Sequence, residues 1–208
     1  PPVGWLKRLE EWAHNRGLLF TLDEVQSSYG RTGRMWAMEH ENLTPDIVVI
    51  GKGIGAGVPV SAIASNDDVF SCLKKGEMSS TLGGNPLASA AVTAVLQIMK
   101  DESIVENAEK TGRLLKQGLF EAASRCKYLG DVRGMGMVMG MEMVKDKNSK
   151  APAPELIRPL IEKCANRGLL IGSVGAFGNV IRVAPPLVMN TLEAEESLGI
   201  MGEVLCEL

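Results

Sequence analysis

The residue best placed for chemistry is Lys52. It follows the apolar run Ile47-Val48-Val49-Ile50 and stands in Gly51-Lys52-Gly53-Ile54-Gly55-Ala56-Gly57, a lone amine among four glycines. Crowding an amine into a pocket disfavours its charged form and makes it a nucleophile towards an aldehyde, while glycines let a flat ligand lie against the backbone. A flexible turn carrying a solvated lysine accounts for the glycine content equally well. A phosphate cradle is a third reading, but that pattern places its lysine after the glycines, and here the lysine precedes most of them.

Three further segments carry candidate groups. Asp23-Glu24-Val25-Gln26 closes another apolar run, Leu18 to Leu22. Such a pair serves as a helix cap or surface turn, or Asp23 is a buried carboxylate facing a heteroaromatic nitrogen, which it would keep protonated. Ser79-Ser80-Thr81-Leu82-Gly83-Gly84-Asn85-Pro86 leads into a helical pattern. Hydroxyls and glycines there suit an anion as well as they suit ordinary capping. Arg182 lies inside the apolar stretch Val180 to Val183. It either snorkels to water or offers a two-pronged grip on a carboxylate.

The elements that would position these groups can be read from periodicity. Leu6, Leu9, Trp12 and Ala13 mark an amphipathic helix ended at Gly17. Leu18 to Leu22, Ile47 to Ile50 and Val60 to Ala64 are short unalternated runs, as expected for buried strands of a mostly parallel sheet, where ligands bind at the carboxyl ends. Asp23 and Lys52 both stand at such ends. Pro86 to Met99 reads as a buried helix and Ile104 to Ser124 as a more polar one, with a domain boundary near their junction. Residues 1–100 then form one domain and 101–208 a smaller α+β domain with a largely antiparallel sheet. In the second, Val132 to Val144 reads as a hairpin or adjacent strands, Glu155 to Arg167 as a helix, Leu169 to Gly172 and Val180 to Val183 as strands, and Thr191 as the cap of a last helix.

Composition narrows the class. The 208 residues are 45% hydrophobic and 23% charged, with a net charge of −3. That is enough apolar material for a core. No basic block suggests nucleic acid, and no apolar stretch is long enough to suggest a membrane span. The four cysteines form no C-x-x-C pair and the two histidines are far apart, so neither zinc nor any other metal is expected; free thiols in a reducing, cytoplasmic compartment are.

In order along the chain, DEVQSSYGRTGRMWAMEH (23–40), PDIVVIGKGIGAGVPVSAIAS (45–65), STLGGNPLASAA (80–91), RGMGMVMGMEM (133–143) and IRVAPPL (181–187) resemble the class III aminotransferases, a branch of the fold-type-I pyridoxal-phosphate enzymes. The resemblance runs almost from end to end. It implies an α/β fold, the C-terminal part of a large cofactor domain followed by a small α+β domain. It also implies pyridoxal 5'-phosphate as cofactor. Lys52 would hold it as a Schiff base and shuttle protons, and Asp23 would pair with the pyridine nitrogen. Val25 would pack on the ring, and Gln26 would approach its phenolic oxygen. Thr81 would reach the phosphate of a neighbouring subunit in a homodimer with shared active sites, and Arg182 would hold the substrate carboxylate.

The implied reaction is transfer of an amino group from an amino acid or ω-amino acid, such as 4-aminobutyrate, to a 2-oxo acid. Aminomutases and amino-acid racemases share the motifs, and a non-catalytic remnant that only dimerises is a third alternative. Ser28 departs from the family's usual glycine and is expected to touch substrate preference. Family members are about twice this length, so the chain reads as a C-terminal half. Alone it is expected to be poorly stable, inactive and weak in binding the cofactor, because a partial parallel sheet leaves edges and an apolar face open.

Overall fold

The structure, a computed structural model, describes residues 1–208 and separates into two units. Unit 1 comprises Pro1–Gly30 and Arg34–Val105; unit 2 comprises Arg31–Gly33 and Glu106–Leu208. No helix is long and apolar enough to cross a membrane.

Unit 1 begins with helix α1 (Trp5–His14), whose Leu6, Leu9 and Ala13 pack with Phe20 and Leu43. Strand β1 is only Thr21–Asp23. The apolar run starts earlier, but the Leu18 amide donates back to Ala13 to close the helix, so the ladder opens late. β1 pairs in parallel with β2 (Ile47–Ile50), with Asp23 opposite Val49. β3 (Ala62–Ser65) runs antiparallel to β2, with Ile47 opposite Ser65 and Ile50 opposite Ala62. The parallel pair is joined through residues 24–46, whereas residues 51–61 are too few for a crossover, so β3 must return the other way. The expected parallel character therefore holds for β1 and β2 and fails at β3. A short helix α2 (Asp67–Phe70) follows, then α3 (Pro86–Asp101), which has Asn85 as its cap and proline at its first turn. Val92, Val95 and Met99 of α3 pack on Val48, Ile50 and Ile54.

Helix α4 (Ile104–Arg125) leads into unit 2. There a four-stranded sheet has the order β4-β5-β7-β6, antiparallel throughout. The strands are β4 (Leu129–Met135), β5 (Val138–Met143), β6 (Gly172–Val174) and β7 (Val180–Val183). β5 alternates strictly, with Met139, Met141 and Met143 buried. These meet Leu115 and Leu119 of α4, Leu160 and Cys164 of α5 (Ile157–Ala165), and Met201 and Val204 of α6 (Thr191–Cys206) in one continuous core. α6 is capped by Asn190, which exchanges hydrogen bonds with Glu193, so Thr191 is the first helical residue and not the cap.

The turn between β4 and β5 receives the stray segment Arg31–Gly33. Gly136 has φ +52°, and a Cβ there would lie 2.3 Å from the Thr32 carbonyl carbon and 2.4 Å from the Gly33 nitrogen. Only glycine lets these two stretches of backbone meet.

Candidate active site

Lys52 and Asp23 come from neighbouring strands of the same sheet. Asp23 is the last residue of β1, and Lys52 lies just beyond β2, so both stand at the carboxyl ends of the parallel pair. Two glycines press the Lys52 loop on the turn that follows Asp23. A Cβ at Gly51 would be 3.3 Å from Val25 Cγ1, and one at Gly53 would be 3.2 Å from Tyr29 Cβ. The Glu24 amide donates to the Val49 carbonyl, carrying the ladder one step past Asp23.

The loop is held rigidly around the amine. Ile54 is buried against α3, and Tyr29 is buried with its ring edge-on to Trp36 at 5.5 Å. Burial pushes the Tyr29 phenol up from its usual pKa. Lys52 itself is exposed and has φ +47°, a left-handed conformation that a side chain rarely adopts and that concentrates at functional sites. Its amine makes no hydrogen bond or ion pair within the chain. Asp23 is exposed in this chain and not buried as expected; one of its oxygens accepts the Val25 amide at 2.9 Å and the other is open. The backbone of the Lys52 loop, an open carboxylate and the branched Val25 side chain thus meet at one turn. That donor set suits a flat heteroaromatic aldehyde, with the carboxylate for a ring nitrogen and the amine for the carbonyl carbon.

The other residues of the motif divide into buried supports and exposed groups. Glu24 is 2% exposed, and its carboxylate accepts the Met38 amide and the Ser27 hydroxyl, which ties the turn to the segment beyond it. The Ser28 hydroxyl is buried and donates to the Glu24 carbonyl at 2.6 Å, so its polar group is consumed by its own turn. Gln26 is exposed. Thr81 is exposed in a turn ahead of α3, where Asn85 takes up both the Ala88 amide and the Leu82 carbonyl.

Unit 2 holds the second cationic feature. Arg182 sits on β7 between Gly140 of β5 and Gly172 of β6, two neighbours without side chains. It is half-buried and has no hydrogen-bonded or ionic partner in the chain. It lines a cavity of about 620 Å³ together with Arg31, Ser173 and Ser197; no acidic residue lines it. Arg31 escaped the sequence reading as a site residue. Its only signal was its place between small residues in Gly30-Arg31-Thr32-Gly33. Burial, then the charge of Arg182, pulls the Arg31 guanidinium below its ordinary pKa. A guanidinium without an ionic partner, on a largely apolar wall that carries no acid, suits an anion.

Comparison with known proteins places these features in context. The profile of Aminotransferase class-III matches residues 1–205. Acetylornithine aminotransferase of Methanopyrus kandleri is 40% identical over 99% of this chain and 49% of its own length. An alanine/serine racemase of Pyrococcus horikoshii is 36% identical over 99% of this chain and 43% of its own. Among solved structures, an Arthrobacter phospholyase in complex with phosphoethanolamine superposes with a TM-score of 0.93 at 35% identity, covering 100% of this chain and 50% of that one. The chain spans about half the length of the curated relatives it matches.

Proposed function

Because the chain belongs to the class III aminotransferases, we propose that the protein transfers an amino group from an amino acid or ω-amino acid, 4-aminobutyrate being one candidate, to a 2-oxo acid. Its fold is that of the fold-type-I enzymes, and the family depends on pyridoxal phosphate. In this reading unit 1 is the C-terminal part of the cofactor domain and unit 2 is the small domain. The observation that carries it is the pressing of the Lys52 loop, through Gly51 and Gly53, on the turn that begins at Asp23.

Pyridoxal phosphate, when bound, supplies an electron sink for the charge left when a proton leaves the substrate carbon. Lys52 Nζ would hold the cofactor covalently and, once displaced by the substrate amine, would be the base that takes this proton and returns it, a role that an amine without a partner in the chain suits. The open Asp23 oxygen would keep a proton on the ring nitrogen. Val25 would cover a ring face and exclude water from it, and Gln26 would donate towards the phenolic oxygen. Thr81, exposed ahead of α3, offers its hydroxyl to the phosphate held by the other subunit of a cytoplasmic homodimer. Arg182, without an acidic partner, binds the substrate carboxylate through both guanidinium arms.

Lys52→Ala tests the assignment. In a protein of the relatives' full length that carries this chain, steady-state turnover should fall by at least about 10²–10⁴-fold, and the visible absorption of the lysine-bound cofactor should vanish; the 208 residues alone are expected to show neither. Full turnover in this variant would overturn the reading. A racemase is the second reading, favoured by the relationship to the Pyrococcus enzyme. Chromatography of products decides, since a transaminase requires the oxo-acid acceptor and a racemase inverts its substrate without one.

A further inference from the structure

The ladder between β5 and β7 stops where a proline interrupts it. Met139 lies opposite Val183 and Met141 opposite Ile181. The Met143 amide donates to the Asn179 carbonyl, so hydrogen-bonded pairs recur every second residue and the next one after Met139 and Val183 falls on Met137 and Pro185. Pro185 has no N–H to give to the Met137 carbonyl. The Met137 amide has meanwhile turned away and donates to the Arg31 carbonyl at 2.9 Å. Two carbonyls are left facing a rung that the backbone cannot make.

Arg31 fills that rung. Its Nη1 donates to the Met137 carbonyl at 3.0 Å and to the Pro185 carbonyl at 2.6 Å. The segment that carries it is fixed from behind by the backbone contact at Gly136. Pro185 follows the last residue of β7 by two positions and Arg182 by three, and both arginines line the same cavity. We infer that Arg31 is a positioning residue for Arg182: by replacing the ladder rung lost at Pro185 it fixes the end of β7, so that the Arg182 guanidinium is presented to a ligand carboxylate in a set orientation.

The inference rests on the reading of Arg182 as the carboxylate anchor. Both bonds come from Nη1, which lies one bond farther from the backbone than a lysine Nζ, so a lysine at position 31 keeps the charge but falls short of the two carbonyls.

The test is a titration of the full protein with glutarate, an unreactive dicarboxylate, followed by the side-chain Nε–Hε resonance of Arg182 in ¹⁵N NMR. The parent should bind, with the Arg182 resonance shifting on titration, and Arg182→Met should abolish binding. Arg31→Lys and Arg31→Met should weaken binding at least about tenfold, since small displacements of a binding group are costly. In turnover, KM for the oxo acid should rise more than kcat falls. Parent-like affinity in both Arg31 variants would overturn the inference while leaving the Arg182 assignment intact. A parent that does not bind glutarate overturns the Arg182 assignment itself.

Pro185→Ala supplies a second arm, because it restores a backbone donor at the rung. In that background the loss caused by Arg31→Met should shrink, and an undiminished loss would overturn the inference. If Arg31→Met fails to fold alone, the double variant with Pro185→Ala should fold and bind glutarate; failure to do so counts against the inference equally.

Discussion

The two units solve the problem of burial differently. Unit 2 closes one continuous core in which Met141, Leu160 and Ile181 are all fully buried. Unit 1 distributes its apolar residues over two small clusters. It leaves large side chains outside, with Leu87 of α3 72% exposed and Leu82 76% exposed. The sheet of unit 1 has open edges at β1 and β3. The unit with the thinner core is the one that carries Lys52 and Asp23. Open edges and exposed apolar side chains are what a partial sheet presents; within this chain the turn at Asp23 and the Lys52 loop are held by backbone contacts and a few buried polar anchors such as Glu24.

This contrast can be broken by experiment. Leu160→Ala should destabilise unit 2 by about 2–5 kcal/mol, whereas Leu87→Ala should change stability by less than about 0.5 kcal/mol. Trp5, Trp12 and Trp36 all lie in unit 1. Denaturation followed by tryptophan fluorescence should therefore hold its midpoint in Leu160→Ala while the circular-dichroism curve moves. Midpoints that move together would show a single cooperative block and dissolve the contrast.

Gly136→Ala comes next in size. It places a Cβ against the backbone of Thr32 and Gly33 at a left-handed φ, and strain of this kind costs about 1–3 kcal/mol. The loss should appear in unit 2, read by circular dichroism.

The smallest effect is expected at Asp46. The Phe20 amide, then His14, hold its carboxyl below the usual carboxylate range despite partial burial. A folded pKa below the unfolded one stabilises above the unfolded value of about 3.8, and that contribution is lost as pH falls through the folded pKa. Asp46→Asn should lower the fluorescence-detected stability of unit 1 slightly at neutral pH, leave it little changed below the folded pKa, and so flatten the acid limb. An unaltered acid limb would remove Asp46 from the account.

Much of this was legible in the sequence, and the gaps have physical causes. Lys52 and Asp23 are readable because apolar runs stop where strands stop. The direction of β3 is not, since periodicity carries burial and not polarity of the chain. β6 starts at Gly172, later than its apolar run suggests, and Leu170 is 87% exposed, so hydrophobicity there does not signal pairing. Ser28 reads as a pocket-facing departure until its hydroxyl is seen bonded to Glu24. Arg31 was invisible for a deeper reason. Its partners Met137 and Pro185 are 106 and 154 residues away, and no local pattern reports them.

That distance governs the order in which the molecule can be assembled. Synthesis runs from the amino end, and unit 1 has its last strand and α3 in hand once Val105 has been made. Residues 31 to 33 must then wait, their future neighbours not yet translated, until the β4–β5 turn emerges. Closing so long a loop is slow. A clone beginning at Glu106 would contain every strand and helix core of the second unit, yet would lack the guanidinium that finishes its ladder.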